Sequence, residues 1–231
     1  MSEGRSAWTI KGKGVPIPHY TRLKRTPMDG QIPDYTGGMD PEAVLWYVCV
    51  NYGVKAIQKA VGIEELDGVF RWSTKKAVKQ YQMDKGLYAD GEVGRQTMRA
   101  ILTPIIKREC EAKNIDPKWI YGLALQESIL DPGAQGATTP NDLGIWQFNT
   151  STGSPTPEQA FDIDWAAAAV TDRWKAAWSR YAGKGEQIRL DCTIMQHRSP
   201  YSADYYYEHG ELNTPESMEY VDKVKMMASD W

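Results

Sequence analysis

Histidine, cysteine and phenylalanine are scarce in this chain, with three of each. His19, His197 and His209 form no H-E-x-x-H run. Zinc peptidases and amidases need clustered ligands, so the pattern argues against them and calls for no metal or other cofactor. Cys49, Cys110 and Cys192 are odd in number, widely spaced, and make no C-x-x-C. We expect three reduced thiols in a protein made in a cytoplasm. A thiol peptidase is disfavoured, because Cys192 and His197 lie on one helix and its end at a spacing that does not face them together. Basic residues have no surplus either: Lys and Arg number 27 against 30 Asp and Glu, a net charge of −3. Nucleic-acid binders carry a basic footprint, so nucleic acid is not the expected partner. Long apolar runs are missing. The longest, "AVLWYVCV" from Ala43 to Val50, falls far short of the ~20 residues a bilayer span needs. The start, "MSEGRSAWTIKGKG", has no apolar core of a signal peptide. We expect no stable membrane insertion, and a substrate outside the membrane would require another agent to admit the protein.

The 231 residues suffice for more than one small domain. Tryptophan (9) and tyrosine (13) are plentiful. Such aromatics suit sugar-gripping surfaces and half-buried cores alike, and most are read as core. Residues 1–38 are rich in Gly, Pro and basic side chains and read as an extended arm. At "MDPEAVLWYVCVNYG", Asp40 is placed to cap a helix, Pro41 to open it and Gly53 to end it. Val54, Ile57 and Val61 then share a helical face.

An internal repeat follows. "DGVFRWST" (67–74) and "DGEVGRQT" (90–97) share Asp-Gly, five residues and Thr. Each Asp-Gly signals a turn, and each Thr is placed to open a helix. Ala77, Val78 and Tyr81 form the inner side of the helix between them. The expectation is a small three-helix unit over 39–103. Its landmarks run from Asp67, Gly68, Phe70 and Thr74, through Ala77, Val78, Tyr81, Gln82, Gly86 and Leu87, to Asp90, Gly91, Val93, Gly94, Thr97 and Leu102. This pattern resembles the peptidoglycan-binding domain found beside many cell-wall hydrolases. Most of the landmarks are turn and core residues, so they specify fold before ligand.

The segment 103–116 reads as a link with a helix from Ile105 to Lys113. A second helix then opens at Asp116-Pro117 and is stopped by Asp131-Pro132-Gly133. Ile120, Leu123, Ala124, Glu127 and Leu130 share one face of it. A carboxylate among apolar residues near a helix C-terminus is costly when ionised. Burial and the helix dipole both raise its pKa, which suits a general acid. Spacing alone leaves open a glutamate satisfied by a buried arginine or a backbone amide.

The wider context, "ALQESILDPGAQGATTPNDLGIWQFN", resembles the signature of soluble lytic transglycosylases and goose-type lysozyme-like muramidases. Glu127-Ser128, Leu130, Asp131-Pro132, Ala134 and Gly144-Ile145-Trp146-Gln147 carry the match. A later block, "TPESMEYVDKV", resembles the family's E-T-x-x-Y-V-x-x-V segment through Glu216, Tyr220, Val221 and Val224. There the resemblance implies that Tyr220 lines the cleft beside the catalytic glutamate. "IMQHRSPYSA" resembles the H-H-N-S-P form of phage and actinobacterial members through His197, Ser199 and Pro200, with Arg198 in place of the Asn. His197 is read as a cleft residue or a packed histidine. Trp146 is the sugar-stacking candidate, and Ser128, Gly144 and Gln147 are carried over as substrate-binding residues. Val170, Trp174, Ala177, Trp178 and Tyr181 form a stripe read as core. The whole is expected to be mainly all-α, with a lysozyme-like helical domain over 104–231.

The resemblance implies cleavage of the β-1,4 bond between N-acetylmuramic acid and N-acetylglucosamine, with Glu127 as acid and base. Glycosidases commonly use two carboxylates, ~5 Å apart when retaining and roughly 6.5–9.5 Å apart when inverting. No second one stands out: Asp131, Asp142, Asp162 and Asp164 each have a cap, turn or surface role to fill. A lytic transglycosylase needs none and leaves a 1,6-anhydro product, so we prefer it to a hydrolytic muramidase. The modular order suggests a monomeric phage endolysin, made in the host cytoplasm, admitted to the wall by holin lesions and acting on peptidoglycan glycan strands. A virion-associated lysin, a wall peptidase or amidase, and a wall-binding protein with an inactive catalytic half are the alternatives.

Overall fold

The structure, a computed structural model, describes residues 41–231, with side chains from residue 51 onward. The expected arm over 1–38, the cap Asp40 and the Cys49 thiol lie outside the described residues. In chain order the elements are α1 (Pro41–Ala60), α2 (Trp72–Asp84), α3 (Arg95–Glu111), α4 (Pro117–Ser128), β1 (Asp142–Leu143) and β2 (Phe148–Asn149), then α5 (Pro157–Phe161), α6 (Ile163–Arg180), α7 (Glu186–Arg198), α8 (Pro200–His209) and α9 (Pro215–Ala228). The protein is mainly helical, as expected. The chain divides into two compact units. One joins the described residues up to Ile101 with Asp131–Phe161; the other joins Leu102–Leu130 with Asp162–Trp231.

The first unit shows what the Asp-Gly repeat is for. Gln58 and Gln82 are each 2% exposed. Gln58 Oε1 accepts from Gly68 N at 2.9 Å, and its Nε2 donates to Asp67 Oδ1 at 2.8 Å. Gln82 repeats the arrangement: Oε1 accepts from Gly91 N at 2.8 Å, and Nε2 donates to Asp90 Oδ1 at 3.0 Å and Thr97 Oγ1 at 3.0 Å. Each Asp also accepts from the amide two residues on, Val69 N or Glu92 N, at 2.8 Å. One buried amide side chain thus satisfies a whole turn, as buried polar groups require. The glycines are needed there, with φ +73° at Gly68 and +76° at Gly91. A Cβ would meet the Asn51 side chain at 2.3 Å in the first copy and Lys75 O at 2.9 Å in the second. Gln82→Leu would strand those donors and acceptors. It is expected to cost about 1–3 kcal/mol, read as a lower melting temperature.

Three expectations for these helices are corrected. Gly53 does not end α1, which continues to Ala60. Val54 and Ile57 are fully buried, which outweighs the ~1 kcal/mol that a helical glycine costs. The chain turns instead at Gly62, φ +81°. Thr74 and Thr97 do not open their helices. They sit buried within the first turn, their hydroxyls engaged by Gln58 and Gln82. No separate helix starts at Ile105, because α3 runs unbroken through Pro104. Leu102 and Ile106 are both fully buried, and their packing holds the helix across the missing amide.

The segment 131–161 folds as a loop-rich piece of the same unit. β1 and β2 pair antiparallel, Asp142 opposite Asn149 and Leu143 opposite Phe148. Gln135 bridges to Leu143. Phe161 of α5 stacks on Tyr52 of α1 at 5.2 Å, and Tyr52 Oη donates to Glu158 at 2.6 Å. Burial first, then Glu158, pushes the Tyr52 phenol up to about 12.

In the second unit Asp116 caps α4, accepting from Lys118 N at 3.1 Å, and Pro117 is its first residue. The stop comes earlier than Asp131: Ile129 (φ +57°) and Leu130 (φ +67°) turn left-handed. Their amides bond back to Leu125 O and Ala124 O at 3.0 and 3.3 Å. A left-handed turn disfavours a β-branched residue. Full burial of Leu130 and the two hydrogen bonds hold it. Glu127 therefore occupies the last turn of α4. α9 lies close against α4 at Gly122, where an added Cβ would stand 2.7 Å from Val224 O. Of the α6 stripe, Val170, Trp174, Ala177 and Tyr181 are buried, whereas Trp178 is only half-buried.

Cys110 and Cys192 are fully buried free thiols. Burial pushes both up to about 12. Neither is a thiolate at neutral pH, so both are expected to resist alkylation until the protein unfolds. Mass spectrometry after iodoacetamide treatment, with and without denaturant, checks this.

Candidate active site

Three helices of the second unit converge on Glu127. The Tyr220 hydroxyl, from α9, donates to Glu127 Oε1. His197 Nε2, from the last turn of α7, lies 3.9 Å from the same oxygen. Arg198 follows, its guanidinium 5.4 Å from the centre of the Tyr220 ring. Exposure is graded: the side chain of Glu127 is 18% exposed, that of His197 8%, and Tyr220 2%. A shielded carboxylate with one oxygen gripped and a route to solvent is the geometry a proton-transfer group needs.

Tyr220 keeps its proton. Burial raises its phenol well above the usual range, and the charge of Glu127 and the hydrogen bond to it add to the rise; Arg198 opposes it. The hydroxyl is thus a permanent donor to Oε1. Tyr220→Phe is expected to reduce turnover about tenfold, the value of one hydrogen bond to a charged group. Unchanged kcat in that variant would show the contact to be idle.

The other carried-over residues divide between the units, and two are corrected. Ser128 is 1% exposed, and its hydroxyl donates to Ala124 O at 3.2 Å, so it faces its own helix rather than a substrate. Trp146 is fully buried, which leaves no ring face for a sugar; it is a core side chain of the 131–161 segment. In that segment Gly144 has φ +76°, and a Cβ there would stand 2.1 Å from Ala160 O, so only glycine fits. Gln147 takes φ +48°, and its Nε2 donates to Gly144 O at 2.8 Å, closing the turn. Glu216, four residues before Tyr220, lies exposed in the first turn of α9.

The four aspartates keep ordinary roles. Asp131 accepts from Gly133 N at 2.8 Å and Asp142 from Asn149 at 2.7 Å. Asp162 caps α6 through Trp165 N at 2.9 Å, and Asp164 pairs with Arg108 at 3.0 Å. What sequence reading missed is the placement of Arg198 over Tyr220. The signal was there, in an arginine standing where the family pattern has asparagine.

Two family models match the chain. One, described as "Putative peptidoglycan binding domain", covers residues 52–101; the other, "Transglycosylase SLT domain", covers 104–168. The chain is a peptidoglycan lytic transglycosylase with a peptidoglycan-binding domain ahead of its SLT domain. No curated protein and no solved structure matches it. The SLT match contains Glu127 but stops short of His197 and Tyr220. The fold brings those two beside Glu127 from beyond the matched segment. Among the described residues, no three His, Cys, Asp or Glu side chains are grouped to hold a metal ion, and no helix is long and apolar enough to cross a membrane.

Proposed function

We propose that Glu127 is the general acid and base of this transglycosylase. The observation that carries the reading is the gripping of Oε1 by a Tyr220 hydroxyl that does not ionise, with His197 beside it. Oε1 is thereby occupied, and Oε2 is left to handle the proton. In the first step protonated Glu127 gives its proton to the glycosidic oxygen. The bond from muramyl C1 breaks, and the N-acetylglucosaminyl alcohol leaves. The substrate's own N-acetyl group stabilises the cationic C1, so no second protein carboxylate is required. In the second step the Glu127 carboxylate takes the proton of the muramyl 6-hydroxyl as that oxygen bonds to C1. The product is a 1,6-anhydro sugar, Glu127 is again protonated, and no water is consumed.

Mass spectrometry of soluble products from purified peptidoglycan tests this. Anhydro-muropeptides are expected. Reducing-end muropeptides alone would mean a hydrolytic muramidase and would overturn the lone-glutamate scheme.

We further propose a linear division into a binding domain over 39–103 and a catalytic domain over 104–231. On our reading the protein is a monomeric phage endolysin that reaches the wall through a holin lesion; wall-binding and wall-cleaving domains joined in one chain support this. Expression in a bacterial host is then expected to cause lysis only once the inner membrane is permeabilised. Lysis without that lesion would overturn the holin requirement.

A further inference from the structure

His197 and Tyr220 reach Glu127 from different helices, so the grip on Oε1 depends on how α7 and α9 lie against each other. Two polar contacts join these helices. Arg198 of α7 stands over the Tyr220 ring of α9, 5.4 Å from its centre. Asp191 of α7 pairs with Lys225 of α9, Oδ1 to Nζ at 2.5 Å. Asp191 and Arg198 stand at i and i+7, on one face of α7 and about 10 Å apart along it. The order on α9 is reversed, with Lys225 following Tyr220. The helices therefore run antiparallel along this face, with one polar contact towards each end. The side chains that fall between the contacts in sequence, Ile194, Met195, Val221 and Val224, are buried and apolar.

The side chain of Asp191 is only 5% exposed and that of Lys225 27%. Both carboxylate oxygens also accept from Gln187 Nε2, at 3.0 and 3.1 Å. Shielding such a pair from water costs much of what the attraction returns, and apolar side chains of like volume commonly serve stability as well or better. What the pair supplies is direction. Apolar packing is non-directional, so buried Ile, Met and Val hold two helices together while resisting a small slide along their length only weakly. An ammonium and a carboxylate in a shielded site attract strongly at contact and lose that attraction when the helices slip. We propose that Asp191 and Lys225 are positioning residues for Tyr220: their ion pair fixes where α9 lies along α7, and so where the Tyr220 hydroxyl meets Glu127. The proposal rests on the role assigned to Glu127 and adds what places the donor that grips it.

The test replaces the pair in the full chain by apolar side chains of similar size, Asp191→Leu together with Lys225→Met. The melting temperature is expected to hold or rise, since Gln187 is exposed and can return to water. On purified peptidoglycan kcat is expected to fall towards the level of Tyr220→Phe, about tenfold, with KM nearly unchanged. Lys225→Arg keeps the charge and should retain most of the activity. The decisive comparison repeats the replacement in a Tyr220→Phe background. A pair that acts through the hydroxyl has nothing left to place there, so kcat should fall no further. An equal fall in both backgrounds would mean that the pair acts on something other than Tyr220 and would overturn the proposal, as would an unchanged kcat. A loss of kcat that only follows a lower melting temperature would mean a stabilising role and would overturn it too. Full activity of Glu127→Gln would sink the reading of Glu127 itself; an inactive Glu127→Gln beside an unimpaired pair variant would sink the pair alone.

Discussion

Turnover of purified peptidoglycan is expected to fall about 10²–10⁴-fold in Glu127→Gln, the contribution of a positioned acid–base group. Glutamine keeps the size of the side chain and an oxygen for the Tyr220 hydroxyl to donate to. It removes only the ability to give and take a proton, so the fold should be unaltered and the melting temperature nearly so. Both steps of the proposed reaction pass through this one group. Loss should therefore appear in kcat more than in KM, since an interaction made only in the transition state leaves binding intact. Release of soluble muropeptides, followed by chromatography, measures it. Full activity would sink the assignment of Glu127, whatever the products.

Gly122→Ala is expected to destabilise the protein and to impair catalysis together. In most helix interiors this change gains ~1 kcal/mol. Here the new Cβ would lie 2.7 Å from Val224 O and 3.1 Å from Ala228 Cβ, both on α9. The nearest atom is backbone, so no side-chain rotation relieves the contact and α9 must move. Overpacking of this kind costs about 1–3 kcal/mol, at roughly 2–4 °C of melting temperature per kcal/mol for a chain of this size. α9 also carries Tyr220, one turn before Val224, and its hydroxyl reaches Glu127. Displacing the helix should loosen that hydrogen bond and cost about tenfold in kcat. Thermal melts and turnover assays on the same preparation check both effects. A gain in stability would show that α9 yields without cost.

The short-range features of this protein were legible in its sequence. Asp-Gly turns, the Asp116-Pro117 helix start and the apolar stripe containing Glu127 all follow from the chemistry of residues a few positions apart. Their physical cause is local: φ > 0 at glycine, a carboxylate capping an amide, a 3.6-residue period. Gly53 and Pro104 misled for the complementary reason. Breaker residues act on an isolated helix, whereas buried Val54, Ile57, Leu102 and Ile106 hold the helices through them. The buried pairings of Gln58 and Gln82 with their turns were likewise invisible, because a hydrogen bond over 8 to 16 positions is chosen by packing. So was the interior position of Trp146: a family signature places the residue in a loop but does not say which way its ring faces. Glu127 and Tyr220 stand 93 positions apart. Each was identifiable alone by resemblance; that the tyrosine grips the carboxylate, with Arg198 over its ring, was decided only when α4, α7 and α9 packed, with Gly122 letting α9 lie against α4. Sequence by itself determined the two Asp-Gly turns, the helix start at Asp116-Pro117 and which carboxylate is costly to bury. Tertiary structure decided what that carboxylate touches, because the separation of side chains distant in sequence is set by the packing of whole helices.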